Sequence, residues 1–163
     1  MLSRWFLFIH IFSAITFFLA HGAGAAMAFQ IRKETNLERI RAMLDLSGST
    51  IGLYMLAFML LLVTGVTSSF LLGLWNRIWL WTSLVLMLGV FFWMYWFSER
   101  TYKVLRKLVG LPYMLGNKSY PAEEPASSET IAAHIKGIDI HQLVIGGYLV
   151  PGFVLWLMVF KPF

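Results

Sequence analysis

The chain predicts an all-α membrane protein, a bundle of four transmembrane helices with a short interfacial amphipathic helix after span one. Three observations predict it. Four long apolar stretches, residues 5–30, 48–74, 78–97 and 140–160, fill most of the 163 residues. Hydrophobic residues make up 59% of the chain and charged residues only 13%, against about 45–50% and about 25% in soluble domains. The basic residues collect in two of the connections. Each stretch supplies the ~20 apolar residues that a helix rising ~1.5 Å per residue needs to cross ~30 Å of hydrocarbon. No length is left for a second folded unit, so residues 1–163 read as one integral membrane domain.

Span one, residues 5–30, follows Arg4 and contains Ala23-Gly24-Ala25 and Ala26-Met27-Ala28, which imitate the cleavage site of a secretory signal. Its apolar stretch is longer than the ~7–15 residues of a signal core, so it is read as a span. Ala20, Gly24 and Ala28 recur at four-residue intervals. Such small residues let helices approach closely where lipid removes the hydrophobic drive, and their other use is to leave room for a flat cofactor.

The connection 31–47 carries Thr35-Asn36-Leu37-Glu38, a capping box, and then an apolar stripe of Leu37, Ile40, Met43 and Leu44. An interfacial amphipathic helix is expected there. Span two, residues 48–74, holds Thr64, Gly65, Thr67, Ser68 and Ser69, whose hydroxyls bond back to the helix or across to a neighbour. Trp75, Trp79 and Trp81 mark one interface, and Trp93, Tyr95, Trp96 and Tyr102 mark the other end of span three, residues 78–97.

The connection 98–139 opens with Tyr102 to Leu108, a helical extension of span three that Gly110 and Pro112 end. Residues 120–129 are polar, acidic and proline-bearing, and in isolation are expected to be mobile. Span four, residues 140–160, contains Gly146, Gly147, Pro151 and Gly152. A kink near its centre and the close approach of another backbone are expected.

Charge sets the orientation. Arg4, Arg77 and Lys161 fall on one side of the four spans, and Arg32, Lys33, Arg39, Arg41, Arg100, Lys103, Arg106, Lys107, Lys118 and Lys136 on the other. The positive-inside rule places connections 31–47 and 98–139 in the cytoplasm and both termini outside. The net charge of +5 lies beside apolar segments, where it meets lipid headgroups, so nucleic acid is not a partner.

The chain has no cysteine, which removes disulfides, thiolate metal sites and covalent haem attachment. No charged residue sits deep in a span, which argues against a proton pump or ion pathway. No catalytic motif is present and no paired carboxylates can be assigned, so no catalytic residue is named. Four histidines remain: His10, His21, His134 and His141. His10 and His21 lie about 20° off one helical face and ~16 Å apart along span one. In transmembrane b-type cytochromes a histidine from each of two helices ligates haem. His21 and His141 fall in the same half of the membrane and are the candidate haem b ligands, with His10 in reserve; no other metal site is expected. Met27, Met55, Met59, Met87 and Met94 are candidate soft ligands for a copper or small-molecule permease, and their scatter reads more readily as core packing.

Several stretches carry a resemblance: Phe8-Ile9-His10-Ile11, Ala20-His21-Gly22 onward to Phe29, Arg32-Lys33-Glu34, residues 38–46, and Leu157-Met158-Val159-Phe160-Lys161-Pro162. Together they resemble small predicted integral membrane proteins of bacteria near the copper-resistance-D-like group. That resemblance implies a four-helix protein of the bacterial cytoplasmic membrane. More distantly, the histidine early in span one is similar to that of membrane-bound, haem-associated porphyrinogen oxidases, which implies a haem-ligand role at His10.

The sequence therefore points first to a non-enzymatic accessory or structural subunit of a larger membrane complex, in an electron-transfer assembly, respiratory or photosynthetic. Its partners would be the lipid bilayer and other integral membrane subunits. A bis-histidine haem b protein that relays electrons or senses haem is the alternative. The orientation is checked by topology reporters: alkaline phosphatase fused after residue 36 or residue 118 is expected to be inactive, and activity at either place reverses the assignment.

Overall fold

In the computed structural model, which describes residues 1–116 and 118–162, the protein is mostly helical. The order is α1 (Leu2–Ile31), α2 (Leu37–Leu71), α3 (Ile78–Arg100), α4 (Tyr102–Leu108), a hairpin of β1 (Tyr113–Leu115) and β2 (Lys118–Tyr120), α5 (Ser128–Gly137), α6 (Ile140–Val144), a π-helical turn (Ile145–Leu149) and α7 (Val150–Phe160). Four helical rods are long and apolar enough to cross a membrane, with α3 and α4 counting as one and α6 to α7 as another. This is a multi-pass membrane protein.

The turn between α1 and α2 departs from the expected capping box by one residue. Asn36, not Thr35, is the N-cap, its side chain accepting from Arg39 N–H at 3.1 Å. Asparagine caps at least as well as threonine. The Glu34 carboxylate meanwhile accepts from the N–H groups of Asn36 and Thr35, both at 3.0 Å. Those two donors hold its carboxyl below the ordinary carboxylate range.

The interfacial helix expected as a separate element is the first three turns of α2, which runs unbroken for 35 residues. Only Gly48 interrupts the pattern there, and a lone glycine costs a helix about 1 kcal/mol, too little to end it. The apolar stripe also has a protein partner. Ile40 and Leu44 are buried with Ile31, Leu105, Val109, Ile131 and Ile135 in a cluster formed by the ends of α1 and α2 with α4 and α5.

This cluster makes one end of the molecule a small polar-coated core. Gly110 ends the α4 segment at φ +76°, and a Cβ there would lie 2.8 Å from the Glu123 carbonyl oxygen, so only glycine fits. The acidic stretch expected to be mobile is laid along the cluster. Ala126 N–H donates to Leu108 O at 2.8 Å and Tyr113 Oη donates to the Glu123 carboxylate at 2.5 Å. That carboxylate pushes the Tyr113 phenol up to about 12.

The long helices associate as two pairs. α1 lies along α2, and α3 lies along α7. The pairs meet at mid-length through Phe17, Ala57, Phe58, Met87 and Val154, with Phe58 stacked on Phe91 at 4.5 Å between centroids.

Tryptophans expected as interfacial anchors divide into two kinds. Trp81 and Trp96 are exposed, whereas Trp79 is buried and Trp93 lies against Gly146.

The polar-end core obeys the energetics of a water-exposed protein, while a side chain facing lipid has little to lose. Leu105→Ala, at a position with 0% exposure, is expected to cost about 2–5 kcal/mol. Phe92→Leu, on an exposed face of α3, should stay within about 0.5 kcal/mol. Denaturation of the two variants in mild detergent separates them, and equal losses would contradict this division.

Candidate functional site

The site begins with a missing proton. Proline has no N–H, so Pro151 cannot donate to the carbonyl four residues earlier in its helix, which is that of Gly147. In hydrocarbon a backbone acceptor left alone is costly. The helix widens into the π-helical turn Ile145–Leu149 at this place, and His21 of α1 donates from Nε2 to Gly147 O at 2.8 Å. The two glycines make the approach possible. A Cβ at Gly147 would lie 3.2 Å from His21 Nε2, and one at Gly146 would stand 2.0 Å from the Trp93 ring. His21 is thus the polar tie between the two helical pairs.

Beside this tie, between the mid-length plug and the polar end, lies a cavity of about 650 Å³. Its α1 lining includes the small-residue face, Ala20, Gly24 and Ala28, with His21 set into it. Those residues thus leave room as well as letting helices touch. Tyr54 and Met55 of α2 and Phe91 and Met94 of α3 line the same space. Tyr54 and His21 have ring centroids 6.0 Å apart, and Phe17 stacks on His21 at 5.9 Å. Asp45, Lys103 and Arg106 form the rim at the polar end.

The rim charges are spent internally. Arg106 donates to Asp45 at 2.8 Å, to Leu44 O at 3.1 Å and to Pro112 O at 3.0 Å. Lys103 is paired with Glu99.

The other histidines are placed apart. His10 Nδ1 lies 3.1 Å from both Leu61 O and Thr64 Oγ1, joining α1 to α2 beyond the plug, beside a void of about 40 Å³. His134 Nε2 donates to Thr101 O at 3.0 Å in the polar-end core. His141 is exposed on α6, with its backbone N–H on the Asp139 carboxylate at 2.9 Å. It stands six residues before Gly147.

As a haem site this set fits poorly. Nε2 of His21 is occupied by the Gly147 carbonyl, His141 is exposed, and Arg106 and Lys103 on the rim are paired with Asp45 and Glu99. Among the described residues no group of three or more histidine, aspartate or glutamate side chains is gathered to hold a metal ion. The methionines are spread as well: Met55 and Met94 line the cavity, Met87 fills the plug, and Met59 is exposed.

No protein-family model, curated protein or solved structure matches the chain.

Sequence reading missed Tyr54, for which a lone tyrosine within an apolar run gives no signal. The link from Pro151 to His21 was available by counting four residues back and asking which donor lies at that depth. It supports a double-mutant cycle. His21→Ala is expected to cost about 1–2 kcal/mol of stability, the range for a hydrogen bond between helices in a membrane. In a Pro151→Ala background, which returns the missing N–H, most of that cost should vanish. Additive losses in detergent unfolding would break the link.

Proposed function

We propose that this chain is a non-catalytic integral subunit of an electron-transfer assembly in a bacterial inner membrane, and that it holds a membrane-soluble guest between its two helical pairs. The four helices cross the bilayer as a bundle, the first turns of α2 lie at the level of the headgroups, the polar end faces the cytoplasm and both termini lie outside. The resemblance to the copper-resistance-D-like group belongs to the same reading.

The observation that carries it is the cavity of about 650 Å³. It falls within the ~300–1,000 Å³ typical of sites for small molecules and cofactors. It is walled by small and aromatic side chains, and its titratable rim is neutralised by internal pairs. Such a place suits the binding of a small guest: His21 is anchored through Nε2 to the Gly147 carbonyl, and Asp45, the carboxylate of the lining, is paired with Arg106.

Extraction in polymer-bounded native membrane discs tests the proposal. The protein is expected to co-purify at fixed stoichiometry with polypeptides that carry redox centres. Recovery as a single species, with no accompanying polypeptide, overturns the subunit assignment.

A further inference from the structure

The cavity has a chemistry more specific than its size. The Gly147 carbonyl can only accept, so the proton on His21 lies on Nε2, and in the neutral imidazole Nδ1 is left as a bare acceptor. Among the described residues Nδ1 has no partner, and neither does the hydroxyl of Tyr54, which can donate. Neither atom is among the buried polar atoms shut away without a partner, and both residues line the cavity. One acceptor and one donor therefore stand on rings 6.0 Å apart, on two residues that line the same cavity.

Three further features narrow the guest. Its headgroup is uncharged, because Arg106 is committed to Asp45, Leu44 O and Pro112 O and Lys103 to Glu99, which leaves no free charge for a carboxylate or phosphate. The headgroup is flat, because the small residues Ala20, Gly24 and Ala28 and the rings of Tyr54 and Phe91 line the space together. It bears an apolar tail, because the lining belongs mostly to helices long and apolar enough to cross a membrane.

We propose that the cavity binds a membrane quinone or quinol, with the ring between the small-residue face of α1 and the aromatic residues of α2 and α3. Tyr54 Oη donates to a ring carbonyl of the quinone, and His21 Nδ1 accepts from a ring hydroxyl of the quinol. This deepens the preceding assignment by naming the guest, and it rests on that reading for its place in electron transfer.

The test uses the full chain purified in lipid nanodiscs and titrated with a decyl-tailed benzoquinone, with binding read by quenching of tryptophan fluorescence and corrected for partition into lipid. Decylbenzene, which has the tail and ring without oxygens, is the comparison. Saturable binding of the quinone is expected, with affinity lowered about tenfold by Tyr54→Phe, roughly the loss of one hydrogen bond. Gly24→Leu should abolish saturation; a Cβ at this position meets only Ser47 Oγ at 3.8 Å, and an unchanged helical circular dichroism spectrum verifies that the variant is folded. Decylbenzene should show partition alone.

Absence of saturable quinone binding, equal affinity in the wild type and Tyr54→Phe, or equal competition by decylbenzene would each overturn the proposal. The two assignments fail separately. Saturable binding by a chain that purifies without partners keeps the quinone site and removes the subunit; a partner-bearing complex that binds no quinone does the reverse.

Discussion

The hydrogen bond from His21 to the Gly147 carbonyl is the constraint on which the interior arrangement depends. Lipid tails offer no hydrogen bonds and no hydrophobic drive between helices, so what positions one helix against another is close packing and the few polar groups that must be satisfied. Pro151 creates such a group at the centre of the last helical rod. Satisfying it fixes the depth of α1 relative to α7, and requires two glycines in succession so that an imidazole can reach one backbone site while the Trp93 ring lies on the next. The plug of Phe17, Phe58, Met87 and Val154 then closes the pairs on one side of the bond, and the cavity remains on the other.

The polar end works by different physics. There the core of Ile40, Leu44, Leu105, Val109 and Ile131 is held by apolar burial under a coat of charged residues. Its arginines act as carbonyl partners: Arg41 donates to Val109 O at 2.7 Å and Arg32 to Ile138 O, both at helix ends, and Arg106 donates to Pro112 O in a loop and to Leu44 O within α2. The last carbonyls of a helix lack intrahelical donors, and a guanidinium supplies several in a fixed fork. Basic residues whose number suggests a side of the membrane are thus also the stitches of the cap.

How much was legible in the sequence follows from which signals are local. The four rods are plain because length and composition suffice to specify a helix that can cross a bilayer, and the break in the last rod is written in Gly146, Gly147 and Pro151. The continuity of α2 was not legible. The stripe of Leu37, Ile40, Met43 and Leu44 looks the same whether its partner is a headgroup layer or a neighbouring helix, and only the placement of α4 and α5 decides. The same holds for the site. His21 stood out as a polar residue in an apolar run, yet Tyr54 did not, because what distinguishes it is a separation across two helices that no spacing within one helix records.

The widened turn at Ile145–Leu149 has one more implication. A π turn holds one residue more than the α-helix would place there, so the two halves of the rod are read in different angular frames, offset by roughly 100°. The apolar stripe of residues 140–144 therefore addresses different neighbours from that of residues 150–160, even though both belong to one rod. A single helix serves two surfaces: its first half leans on Phe97 and Ile138 at the polar end, and its second half brings Val154 into the plug. One surplus residue is what lets a single rod take part in both.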